Sequence, residues 1–312
     1  MNTMTKSLIA FVCLLLSFLC YAQQEEVYMF SYFKNNGKDG LHLAYSYDGY
    51  KWSSLNNDKS YLQPVLSKDS LMRDPCIMRG PDGKFHMVWT VSWNAKGIGY
   101  ASSDDLVNWS PQQYIPVMES EDSARNCWAP EINYDSKKKQ YVIYWATTIK
   151  GKYPPADPNA ESGYNHRMYY ITTKDFKTFS RTELFYDKGF NVIDASVVKV
   201  GKKYVMFLKD ETIRPSPQKN IRTATSNELT GGFSDPSPPI TGKYWAEGPT
   251  AVKIGDEWVV YFDKYREHKY GAVASTDLVN WRDVSERISL PPGIRHGTIF
   301  KITRAELAVL LK

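Results

Sequence analysis

The chain has 312 residues, a formal net charge of +5, and is 42% hydrophobic and 14% aromatic. That is apolar material enough for one large domain or two ordinary ones. Its Lys and Arg residues are scattered without long basic runs, which argues against a nucleic-acid partner.

The first element in chain order stands outside the fold. Lys6 precedes an apolar stretch from Leu8 to Leu19, and Cys20-Tyr21-Ala22 supplies small residues where a signal peptidase reads. The run is too short to cross a bilayer stably, so residues 1–22 read as a secretory signal peptide. The mature protein, residues 23–312, is expected to be exported to the periplasm or the extracellular space without a transmembrane segment. A lipid anchor on Cys20 is the lesser alternative, because Leu19 is larger than such sites prefer. Cys76 and Cys127 remain in the mature chain, and buried free thiols are a plainer reading of them than a disulfide.

From Tyr28 onward a short phrase recurs: Ser or Thr, one residue, an acid, then an aromatic four or five positions on. The copies are Ser46-x-Asp48 to Trp52, Ser103-x-Asp105 to Trp109, Thr173-x-Asp175 to Phe179, Ser226-x-Glu228 to Phe233 and Ser275-x-Asp277 to Trp281. A unit repeating every ~50–70 residues on short strands is the mark of a radial array. Five inner-strand candidates interleave with it, beginning at Asp74-Pro75, Ala129-Pro130, Asp194-Ala195, Glu247-Gly248 and His296-Gly297. The first four are followed by strands rich in Val, Tyr, Phe and Trp: Phe85 to Thr90, Tyr141 to Thr147, Tyr204 to Leu208 and Trp258 to Phe262.

The fifth inner strand has no partner downstream, so its partners must be Tyr28 to Phe33 and Leu41 to Ser46. The expected fold is therefore all-β: a five-bladed β-propeller whose last blade is closed by N- and C-terminal strands. The repeats use nearly the whole mature chain and leave it a single catalytic domain. Residues 150–165 and 210–220 are polar, Pro-rich surface loops, and residues 304–312 form a short amphipathic tail.

If the inner strands run alike about the axis, their first residues face one end of the central cavity. Those residues are Asp74, Ala129, Asp194, Glu247 and His296. A lone acid before Pro or Gly is usually a turn residue. Three acids at one repeat position, at a cavity mouth, point instead to chemistry. The rim acids Asp48, Asp105, Asp175, Glu228 and Asp277 occur once per blade, as a structural turn device should. Carboxylates on opposite walls, roughly 6.5–9.5 Å apart, suit inverting glycoside hydrolysis.

The stretches Arg73-Asp74-Pro75-Cys76-Ile77, Trp128-Ala129-Pro130-Glu131, Ile193-Asp194-Ala195-Ser196-Val197, Glu247-Gly248-Pro249 and His296-Gly297-Thr298 resemble glycoside hydrolase family 43, in the family's order. Ala195 departs from the Pro that the family often has there. The resemblance implies Asp74 as general base, Glu247 as general acid, and Asp194 as the residue that orients the acid and raises its pKa. It also implies a calcium ion or water in the central channel beside His296, with no cofactor required for catalysis.

Candidate sugar contacts are Trp128 and Arg295 first, then Asn126, Arg73, Trp93 and Arg222, with His166, Trp245 and Tyr244 behind them. Arg73 or Arg295 is the candidate cation beside Asp74. The expected activity is that of an inverting exo-acting α-L-arabinofuranosidase on plant polysaccharide side chains, its partner an oligo- or polysaccharide. A β-xylosidase or a galactan-cleaving enzyme shares the same frame, and a carbohydrate-binding propeller is the non-enzyme alternative. A retaining fructan hydrolase is disfavoured because the acid is followed by Gly248 rather than Cys. A sialidase is disfavoured because no repeat has the Gly two places after its Asp.

Overall fold

The computed structural model describes residues 26–153 and 163–312. The expected signal peptide, and most of the loop over residues 150–165, lie outside the described residues. The strands in chain order are β1 (Glu26–Phe33), β2 (His42–Ser46), β3 (Ser53–Ser54), β4 (Arg73–Arg79), β5 (Phe85–Thr90), β6 (Ile98–Ser103) and β7 (Gln113–Ile115). They continue with β8 (Trp128–Asp135), β9 (Gln140–Thr147), β10 (Arg167–Thr173), β11 (Glu183–Tyr186), β12 (Val192–Val200), β13 (Lys203–Asp210) and β14 (Asn220–Ser226). The last are β15 (Glu247–Ile254), β16 (Glu257–Lys264), β17 (Lys269–Ser275), β18 (Arg282–Asp283) and β19 (Arg295–Thr303).

These strands form five antiparallel sheets: β4-β5-β6-β7, β8-β9-β10-β11, β12-β13-β14, β15-β16-β17-β18, and β19-β1-β2-β3. The last sheet joins the two ends of the chain, with Glu26 opposite Thr303 and Ser31 opposite Thr298. The ring is thus a five-bladed β-propeller closed as expected. The inner strands β4, β8, β12, β15 and β19 pack side by side in chain order, and β19 meets β4 to complete the circle.

The second strand of each blade explains the continuous apolar runs. Every residue of β5 is buried, as are nearly all of β9 and β13, because neighbouring blades cover both faces. Trp89, Trp145, Tyr144, Phe207 and Tyr261 fill the spaces between blades. Truncating one of these rings to Ala is expected to cost about 3–5 kcal/mol. Cys76 and Cys127 are buried and unbridged within this core.

At the rim, Asp105 accepts the backbone N–H groups of Val107 and Asn108, and Asp175 and Asp277 repeat the turn. Glu228 does not: its hairpin closes through Ser226 and Gly231 instead. The tail folds as helix α1 (Arg304–Leu310), opened by a Thr303–Glu306 capping box and held by buried Leu307 and Leu310.

Each inner strand carries one β-bulge at its start. Arg73 faces Thr90 while Cys76 faces Val88, so three steps on β4 match two on β5. The same count holds for Trp128 to Glu131, Ile193 to Ser196, Glu247 to Thr250, and Arg295 to Thr298. The first bulged residue is Asp74, Ala129, Asp194, Gly248 or His296. Four of these have positive φ: 54° at Asp74, 46° at Ala129, 52° at Asp194 and 59° at Gly248. Asp tolerates that region better than most side chains, and the bulge re-aims it at the axis.

This register corrects one expectation. Glu247 is not the repeat equivalent of Asp74 and Asp194; Gly248 is. Glu247 sits one residue earlier, level with Arg73, Trp128, Ile193 and Arg295. A Cβ at Gly248 would stand 2.4 Å from the His296 ring, so glycine is required there on both conformational and packing grounds.

Candidate active site

His296 is the hub of the mouth. Its Nδ1 lies 3.3 Å from Asp74 Oδ1 and 4.0 Å from Asp194 Oδ2. Burial opposes charge on this imidazole, but Asp194, Asp74, Glu131 and Glu247 together push its pKa up. The group within ion-pair distance of Asp74 is therefore His296 rather than Arg73 or Arg295, although the Asp74 charge also acts on Arg73. Thr90 Oγ1 donates to Asp74 Oδ2 at 2.8 Å and accepts the Ala129 N–H at 2.8 Å, tying the acid to the next blade.

Asp194 Oδ2 accepts the Gly248 N–H at 3.0 Å, which fixes the backbone directly after Glu247. Burial is the largest cause pushing the Asp194 carboxyl up to about 6, with Glu247 and Asp74 adding repulsion. Glu247 behaves oppositely. Lys209 Nζ donates to its Oε2 at 3.0 Å and Arg295 Nη2 to its Oε1 at 3.2 Å. Burial opposes its charge, yet Lys209 first and then Arg295 hold it below the ordinary glutamate range. The expectation that Asp194 lifts Glu247 meets opposing partners in the resting site: Lys209 and Arg295 hold Glu247 down, while burial pushes Asp194 up.

Arg295 is committed to this arrangement, since its Nε also donates to Asp263 Oδ2 at 2.6 Å. Arg73 lies between two rings, 4.6 Å from the Phe33 centroid and 4.2 Å from that of Trp93, and donates to Asn36 at 3.0 Å. No carboxylate lies within ion-pair distance of it among the described residues, so its remaining N–H groups are available to a ligand. Trp93, 40% exposed, meets Trp128 edge-on at 5.5 Å, and Trp128 Nε1 donates to the Trp93 carbonyl. Tyr164 extends this wall, 4.7 Å from Trp128.

Other candidates are placed elsewhere. Asn126 is fully buried; its amide donates to Ala146 O at 3.4 Å and accepts the Thr148 N–H at 3.1 Å, a structural clamp. Arg222 stands on β14, outside the inner strands, where it binds Ser237 O, Gln218 Oε1 and Asp210. His166 is buried beneath Trp128 and Tyr164, bonded to Asn191. Tyr244 stacks on Phe262 and lines a groove of about 780 Å³ on the flank between the third and fourth blades, with Trp281 and Asp283. That groove contains none of the converging acids and lacks their chemistry.

Sequence reading passed over Lys209, Asp263 and Glu131. Glu131 lies one layer below the mouth, accepts from Thr298 Oγ1 at 3.0 Å, and is pushed up to about 7, chiefly by burial. No group of three His, Cys, Asp or Glu side chains among the described residues converges as metal ligands. His296 Nδ1 is already turned to Asp74. The residues at hand do not by themselves fit a calcium ion, and no step below uses one.

Residues 23–308 match a family-43-related family described as a probable glycosyl hydrolase domain. The chain belongs to glycoside hydrolase family 43. It is 25% identical over 251 residues to an α-L-arabinofuranosidase of Bifidobacterium longum, covering 67% of this chain but 23% of that protein. The chain therefore spans about a quarter of the length of this curated relative. Among solved structures, an α-L-arabinofuranosidase from Lactobacillus brevis superposes with a TM-score of 0.51 at 20% identity, covering 69% of this chain and 72% of the other. An exo-β-1,3-galactanase from Phanerochaete chrysosporium gives 0.53 at 14% identity, covering 71% and 52%. At such identities the likeness to these two shows the fold alone.

Proposed function

We propose that the protein is an inverting, exo-acting glycosidase, and that its substrate is an α-L-arabinofuranoside on a plant polysaccharide side chain. The observation that carries the reading is the convergence of Asp74 and Asp194 on His296, with Glu247 anchored alongside by Lys209 and Arg295. In this reading Asp74 takes a proton from a water as that water attacks the anomeric carbon. Glu247 gives its proton to the departing glycosidic oxygen, so one water is consumed and the anomeric configuration inverts. Asp194 holds the Gly248 amide and so the direction of Glu247. His296, 3.3 Å from Asp74, holds that carboxylate in place, and the Trp93–Trp128–Tyr164 wall offers an apolar face to the sugar.

Support for the arabinofuranoside comes from the sequence relative of that activity, and the inverting course from the family resemblance. Because the acid must be protonated and Lys209 and Arg295 hold Glu247 below the ordinary glutamate range, activity should be highest on the acid side of neutrality. The sugar is tested with a panel of 4-nitrophenyl glycosides (α-L-arabinofuranoside, β-D-xyloside, β-D-galactoside), and the acid by comparing Glu247→Gln with wild type on the methyl glycoside of the sugar cleaved, whose poor leaving group needs a proton. Turnover of the arabinofuranoside, with methyl glycoside hydrolysis that disappears in the variant, supports the reading. Turnover of another glycoside alone overturns the substrate, and methyl glycoside hydrolysis that survives the substitution overturns the acid.

A further inference from the structure

Lys209 is a charged residue in an apolar setting. It is the next-to-last residue of β13, opposite Ile193 in the ladder, with its side chain 2% exposed. An ammonium in that position is tolerated only when closely paired. It has two carboxylate partners: Glu247 Oε2 at 3.0 Å and Glu211 Oε2 at 2.6 Å, with the Tyr265 ring 4.7 Å away. Glu211, in the segment just after β13, also binds Lys219, and its backbone N–H is fastened to Asn191 O at 2.8 Å. The result is a buried chain of alternating charge, Glu247–Lys209–Glu211–Lys219, whose far end lies away from the reacting atoms.

We propose that Lys209 is a positioning residue for Glu247, and that Glu211 tunes it by competing for the same ammonium, so that this chain sets the pH range of catalysis. The inference rests on the reading of Glu247 as general acid. One ammonium shared by two carboxylates stabilises each less than it would stabilise one alone. Loss of Lys209 therefore leaves Glu247 easier to protonate, and loss of the Glu211 charge leaves it harder to protonate. The other charged or titratable groups acting with Glu247 are Arg295 and His296 on β19, Asp263 on β16, Tyr265 just after it, Tyr270 on β17, Asp194 on β12 and Arg73 on β4. All are unchanged in both substitutions, and only the two altered residues differ in sign.

The experiment is the pH dependence of kcat/KM for Lys209→Met and Glu211→Gln. Its probe is the methyl glycoside of whichever sugar the wild type cleaves, because a poor leaving group keeps the acid's proton in the rate. The basic limb is expected to move up by about one pH unit or more in Lys209→Met and down in Glu211→Gln. Lys209→Arg, which keeps the charge, is expected to hold the limb near the wild-type position. A residue that merely supports the fold would lower kcat and leave the limb in place, which would overturn the inference. So would shifts of the same sign in both variants. If Lys209→Met does not fold, the direction in Glu211→Gln decides alone. Glu247→Gln keeps the two failures apart: activity in that variant sinks the acid assignment, whereas an inactive Glu247→Gln with unmoved limbs sinks only the role of Lys209.

Discussion

The rim and the mouth of this propeller use the same side chain to opposite ends. Asp175, at a rim turn, is met by two backbone N–H groups and the Thr178 hydroxyl in open solvent, and is held down to about 2. Asp194, at the mouth, receives one N–H in a buried setting among other acids and is pushed up to about 6. Carboxylate identity does not separate a turn device from a reactive group; burial and the nature of the neighbours do. A rim acid is satisfied by its own hairpin. A mouth acid depends on other blades, so its proton is governed by residues far away in sequence.

The sharpest way to break this contrast is at Glu247. Glu247→Gln is expected to lower kcat on an unactivated glycoside by about 10²–10⁴-fold with little change in melting temperature. A loss below tenfold would place Glu247 among the structural acids.

Asp194→Asn tests the other half of the comparison through stability. With its folded pKa raised from 3.8 to about 6, Asp194 binds its proton more tightly in the folded chain. The stability so gained is present at acid pH and is lost as pH rises from about 4 through about 6. Asn fits the positive φ and can still accept the Gly248 N–H. At pH 7 the variant is expected to be more stable, on the order of 2 kcal/mol, while hydrolysis falls. Urea unfolding at pH 4 and pH 7 measures this; a variant that is less stable at pH 7 would contradict the burial argument.

Smaller effects complete the series. Trp128→Ala should raise KM about tenfold with kcat less affected, as befits a stacking wall. Asp48→Ala, which frees the Tyr50 and Lys51 N–H groups at the rim, should lower the melting temperature by a few degrees at most and leave kcat/KM unchanged. A kinetic defect there would blur the division between rim and mouth.

The five blades and their closure were legible because the apolar strands and turn phrases recur along the whole chain. The three acids were legible for the same reason. What escaped was register. A bulge consumes one residue without disturbing the apolar pattern, so Glu247 read as the equivalent of Asp74 although it stands one residue ahead. The strands expected at Tyr204 to Leu208 and Trp258 to Phe262 stop one residue before Lys209 and Asp263. Those two polar residues, each next to last in its strand, are the ones that complete the site. A charged residue at the cavity end of a buried strand was the available signal. Asn126 misled because an amide beside a mouth tryptophan looks like a sugar contact, whereas the Thr148 N–H and the Ala146 carbonyl claim it.

The most direct measurement is proton NMR of the first minutes of hydrolysis of an α-L-arabinofuranoside by the wild-type protein. The account expects β-L-arabinofuranose to appear first, with the α anomer following by mutarotation. Initial release of the α anomer would mean retention, and would contradict a water activated by Asp74 across the sugar from Glu247.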